Sequence, residues 1–109
     1  MVHNLKTLPC YFQRTWNDEK LFEIRNDRDR SFQKGDKVEL FEYDPKIPPV
    51  LLEQQKYSGR SIIAEITYVT GYEQKEGFVV FGIDIKEKVN EQRHTCDISG
   101  FKAQAQRGE

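Results

Sequence analysis

Lys20, Glu23 and Arg25 are the residues whose types and spacing could do chemistry in this chain. They stand in the order K-x-x-E-x-R within Lys20-Leu21-Phe22-Glu23-Ile24-Arg25. On a β-strand, residues two apart share a face. Glu23 and Arg25 therefore point one way, Phe22 and Ile24 the other. The expected arrangement puts the charged pair on a cleft and sends Phe22 and Ile24 into the core. An arginine grips phosphate with parallel donors or stacks on a base, and a carboxylate accepts hydrogen bonds from a base amino group. Lys20, at the start of the strand, adds a point charge. The plainer reading of the same residues is a solvated ion pair on a sheet face, worth under about 1 kcal/mol.

Other candidates lie close by in sequence. Arg28, Asp29 and Arg30 form a charged loop after that strand, where a phosphate could be held or the charges could simply cancel in water. His3 and Lys6 are three apart on a first strand, so they face opposite ways, one toward the cleft and one toward its rim. Histidine is the side chain that titrates near neutrality. Tyr43 and Tyr57 border loops and are candidates for base stacking, whereas Tyr11, Phe12 and Trp16 read as core. Metal binding is not expected. Cys10, Cys96, His3 and His94 have no zinc-site spacing, and His94-Thr95-Cys96 is a lone H-x-C. No phosphate loop, nucleophile elbow or H-E-x-x-H occurs. No cofactor is expected.

These residues need elements to position them. Val2 to Thr7 reads as a first strand. Thr7 is placed to cap a helix that has Pro9 in its first turn, where a missing N–H costs nothing. Leu8, Tyr11, Phe12 and Trp16 then make one apolar helical stripe. Residues 20–25 form strand two, Val38 to Tyr43 strand three, Ser61 to Thr70 strand four and Phe78 to Ile85 strand five. A Pro-rich loop, which would suit a protein-interaction module, fills 45–56, with a short helical turn expected at Val50–Gln55. Few large apolar side chains follow Lys86, so residues 1–85 read as one domain and 86–109 as a C-terminal extension. The class is α+β: a small mixed β-barrel of about five or six strands with one early α-helix, closure removing sheet edges. An open sheet with the helix on one face is the alternative.

Composition bounds the function. The chain has 109 residues, room for one small core. Seventeen Lys/Arg meet eighteen Asp/Glu for a net charge of −1, which excludes a polybasic coat. The charge is unevenly spread: +2 over residues 1–37, −4 over 38–85 and +1 over 86–109. The basic third holds the K-x-x-E-x-R strand. The longest apolar run, Phe78 to Phe81, is far short of a membrane span. Met1-Val2-His3-Asn4 lacks the basic and apolar regions of a secretory leader, so a cytoplasmic protein with two free thiols is expected.

The K-x-x-E-x-R segment resembles the ASCH superfamily, whose fold is a barrel similar to the PUA RNA-binding domain. The usual ASCH pattern has glycine two residues before the lysine, where this chain has Asp18. His3-Asn4-Leu5-Lys6-Thr7, Phe32-x-x-Gly35-Asp36, Tyr57-Ser58-Gly59-Arg60 and Gly77-Phe78-Val79-Val80-Phe81-Gly82-Ile83 resemble the strands and turns of small bacterial and phage ASCH-like proteins. The likeness covers about residues 2–85. It implies a PUA-like barrel that binds RNA or a nucleotide, with Lys20, Glu23, Arg25 and His3 lining a cleft and Lys6 and Arg28 at its edge. In that reading Arg25 and Arg28 hold phosphate and Glu23 reads a base edge. A second implication is an amidohydrolase acting on N4-acylated cytidine. Such enzymes use a Lys, a Thr three residues later and a distant Glu. Here Lys20 fits, Glu23 stands at the Thr position, and Glu65 is a possible distant carboxylate. A third reading is a phage-type protein-interaction or inhibitor module. A monomer with no membrane partner is favoured.

Overall fold

Every second residue of β1 (Val2–Thr7) is buried, and the three that point inward are His3, Leu5 and Thr7. The same period of two runs through β3 (Lys37–Tyr43), where Val38 and Leu40 are buried, and β4 (Tyr57–Thr70), where Ile62, Ala64 and Ile66 are. β5 (Phe78–Asn90) contributes Phe81 and Ile83. β2 (Phe22–Asn26) completes a five-stranded sheet in the order β1-β3-β4-β5-β2. β1 and β3 are parallel, and the other pairs are antiparallel. The computed structural model describes residues 1–28, 30–47 and 53–91.

The sheet curls into a half-barrel around its buried face, with one short helix, giving a small, mostly-β domain. Register shifts after Ile63 and Ile66 bend the long β4–β5 pair, as bulges do. α1 (Pro9–Trp16) packs on the core through Phe12 and Thr15. Its N-cap is Leu8, without a side-chain bond, so Thr7 does not cap it. The Thr7 hydroxyl points inward from β1 and accepts a bond from Arg25 instead. A 3₁₀ turn at Glu53–Lys56 leads into β4. β5 runs on to Asn90, so the first residues of the stretch read as an extension continue the strand. His94, Thr95, Cys96 and the rest of that stretch lie outside the described residues, as does Asp29.

Two polar anchors tie the elements together. The Arg60 guanidinium lies 5.1 and 4.8 Å from the ring centres of Phe12 and Trp16. It also donates to both Glu42 oxygens, at 2.9 and 3.1 Å, and to Gln13 at 2.8 Å. Burial pushes the Glu42 carboxyl up, but bonds from Arg60 and Ser58 outweigh it and hold the group below its usual range. At the other anchor, His3 donates from Nε2 to Asp36 at 2.9 Å while its ring packs on Phe32 at 4.6 Å. Asp36 also accepts from the Gln33 amide and lies 3.6 Å from the N-terminal ammonium.

The His3 bond, aided by Gln33 and the N-terminus, holds the Asp36 carboxyl below the usual aspartate range against partial desolvation. A lowered folded-state value contributes stability that is present above about pH 4 and lost as pH falls through the folded value. Asp36→Asn should cost about 1–2 kcal/mol at pH 7. Its urea midpoint should also fall less than that of the wild type between roughly pH 5 and 2.5. Denaturation curves at stepped pH check both.

Candidate functional site

α1 ends in a turn that sets the position of Lys20. The Asp18 amide bonds the Thr15 carbonyl, and the Glu19 amide bonds the Arg14 carbonyl at 2.8 Å. This is the double bond pattern of a Schellman cap, whose C′ residue takes the left-handed conformation. Asp18 has φ 64°, in that region. Glycine enters it without a steric cost, and aspartate is among the few other residues that tolerate it. The turn therefore accepts aspartate at a position whose backbone suits glycine. Lys20 emerges from it at the mouth of a cleft of about 680 Å³ between α1, β1 and β2.

The three residues of the K-x-x-E-x-R segment converge there. Glu23 is only 3% exposed. Its Oε2 accepts from Lys20 Nζ at 2.9 Å, and its Oε1 accepts from Arg25 Nε at 2.9 Å. Arg25 reaches further, donating to the Lys6 carbonyl at 3.0 Å and the Thr7 hydroxyl at 3.1 Å. Arg30 donates to the Asn4 carbonyl at 3.2 Å. β1 and β2 are the two edges of the sheet. Guanidinium groups thus span the gap between them, where a closed barrel would have a backbone ladder. The cleft carries four basic residues (Lys6, Arg14, Lys20, Arg25) against two acidic ones (Glu19, Glu23), an excess of two positive charges.

β2 faces the opposite way from the sequence expectation. Glu23 is inside, while Phe22 and Ile24 are 43% and 53% exposed. A period of two separates faces without saying which is buried. Here the interior already holds Phe12, Phe32 and Phe81, and the buried Glu23 has two cations to meet it. Tyr11 and Leu8 also leave the expected core stripe: they stand at the cleft, with Tyr11 52% exposed. Lys20 Nζ lies 4.9 Å from the Phe22 ring centre and 5.8 Å from that of Tyr11. Tyr11 and Phe22, together with Arg14 and Glu19, are cleft residues that sequence reasoning missed. Phe22 stands two positions from Lys20, a signal that hydropathy overrode; Tyr11, nine positions away, carried no such signal.

The remaining candidates separate. Lys6 lines the cleft at its edge, with its ammonium 4.6 Å from the ring centre of Tyr43. His3 does not: it is buried and committed to Asp36. Arg28 stands elsewhere, donating to the Glu76 carbonyl at 3.2 Å and lying over Gly77, where a side chain would collide with it. Glu65 pairs with Lys86 at 3.7 Å, away from the cleft. Tyr57 packs edge-on to Tyr43 at 4.8 Å and lines a second hollow of about 660 Å³, with Phe41, Ile63 and Val89. Among the described residues, no three His, Cys, Asp or Glu side chains gather as a metal ion would require. None of the helices there is long and apolar enough to cross a membrane.

The profile of a family described as a domain of unknown function (DUF3850) matches residues 2–83. The chain belongs to that family. The DUF3850 match takes in every element that builds the cleft, from β1 to the middle of β5. No curated protein matches the chain.

Because Asp18 occupies a position suited to glycine, Asp18→Gly should stabilise this DUF3850 domain by about 0.5–1 kcal/mol. The lost exposed pair between Asp18 and Lys88, 3.2 Å apart, offsets only part of this. A rise of a few degrees in the calorimetric midpoint is the expected result.

Proposed function

We propose that the domain is an ASCH-type, PUA-like RNA-binding module whose cleft takes a nucleotide unit. The observation that carries this reading is the convergence of Lys20, Glu23 and Arg25 at one concavity bordered by Tyr11 and Phe22. A nucleotide is an anion joined to a flat ring. The cleft offers an excess of two positive charges beside two half-exposed aromatic rings. Phosphate is met by Lys20 and Arg25, and the base by Tyr11 and Phe22. Glu23 acts as the buried anchor that holds both cations in place. With both oxygens engaged and almost no exposed surface, it is poorly placed to read a base edge.

The same geometry favours binding over the hydrolase alternative. Glu23 presents almost nothing to a substrate or an attacking water, and its partner Lys20 is bound to it. Glu65 is not at the cleft. Cys10 is an exposed free thiol, which suits a cytoplasmic setting. We place the domain there as a monomer.

Titration of the wild type with a nucleoside monophosphate and with short single-stranded RNA at low salt tests the proposal. Two phosphate-contacting cations imply a slope of log affinity against log salt of about −1 to −2 for a single strand. Lys20→Ala should weaken binding about tenfold or more and also lower the melting midpoint, because the buried Glu23 loses one of its two cations. Binding is therefore compared at a temperature where circular dichroism shows the variant folded. If the folded wild type binds neither ligand at low salt, the proposal fails.

A further inference from the structure

The outer face of the sheet beside the cleft is unusually apolar. Phe22 and Ile24 of β2 and Tyr68 of β4 are all exposed there, Tyr68 at 65%. Phe22 is in register with Gly82 of β5, and Gly82 with Tyr68. The two rings therefore occupy one cross-strand row, separated by a residue without a side chain. Two strand spacings put their backbones roughly 10 Å apart. A Cβ on Gly82 would meet the Thr67 hydroxyl at 3.0 Å, so that hydroxyl occupies the lane between the rings. Among the described residues, neither ring packs on another aromatic ring. Phe22 also borders the cleft, with the Lys20 ammonium 4.9 Å from its centre, so cleft and outer face are continuous.

We propose that this outer face extends the cleft as a stacking platform. The ligand is then a short single-stranded RNA segment rather than a free nucleotide. The proposal rests on the nucleotide reading of the cleft. One unit sits at Lys20 and Arg25 against Tyr11 and Phe22. The strand then crosses Gly82, where the Thr67 hydroxyl meets sugar or base, and the next base stacks on Tyr68. Aromatic rings set in one row across the strands of an open sheet are a physical means of stacking two or three bases. Stacking tolerates any base, because every base has a π-face. The row presents little charge of its own, so the added affinity is apolar and weakly dependent on salt. A protein partner would also cover apolar surface. Continuity with a cationic cleft favours the nucleic acid.

The test compares a nucleoside monophosphate with a single-stranded hexanucleotide RNA, binding to wild type, Tyr68→Ala, Tyr68→Phe and Lys20→Ala. The expected result is tenfold or tighter binding of the hexanucleotide by the wild type. Tyr68→Ala should weaken hexanucleotide binding by roughly fivefold to a hundredfold and leave the monophosphate unchanged. Tyr68→Phe, which keeps the ring, should bind like the wild type. Lys20→Ala should weaken both ligands. Equal wild-type affinity for the two ligands, or a Tyr68→Ala variant that binds the hexanucleotide normally, overturns the platform and leaves the cleft reading standing. Absence of binding to either ligand overturns both. Self-association of the wild type that Tyr68→Ala abolishes, with hexanucleotide binding unchanged, assigns the face to protein contact and overturns the proposal.

Discussion

A carboxylate withdrawn from water must be paired, and Glu23 is paired twice. An unpaired charge at that depth costs several kcal/mol or is neutralised by a proton. Lys20 and Arg25 remove that cost, and in doing so they lose their own freedom. Arg25 is then long enough to reach the Lys6 carbonyl and the Thr7 hydroxyl on the opposite edge of the sheet. One buried acid thus orders two cations, and one of those cations draws the half-barrel's edges together. The cleft between those edges follows from this arrangement.

The charge of the cleft is local. The whole chain is within one unit of neutrality, and the excess of two positive charges at the cleft is balanced elsewhere. Such a surface suits a small anionic footprint and not the coating of a long phosphate backbone. The half-exposed rings around the cations matter as much as the charge. They flank the Lys20 ammonium and supply a flat apolar surface that a simple ion site lacks.

The β-branched and apolar runs of β4 and β5 made those strands legible, whereas the period of two in β1 shows only in its burial, with Val2 exposed and His3 and Thr7 buried. The helix was legible from Pro9 and Phe12. Its cap was not, because Thr7 belongs to the strand and spends its hydroxyl on a residue eighteen positions away. The orientation of β2 was also hidden. Hydropathy sends Phe22 and Ile24 inward. The outcome depends on which side of the strand has space and countercharges, and both come from distant residues. His3 illustrates the same limit: its partner Asp36 lies thirty-three positions on, at the turn before β3.

The sequence by itself determined the elements, the α+β class and the K-x-x-E-x-R cluster, because periodicity and short spacing are local properties of the chain. Tertiary structure decided which face of β2 is buried and that Arg25 bridges the edges. It also brought Tyr11 and Phe22 to the cleft, and took His3 and Arg28 away from it. These are matters of pairing between residues far apart in sequence. A buried charge or an open edge is satisfied by whatever the fold brings within about 3 Å, and no local pattern encodes that.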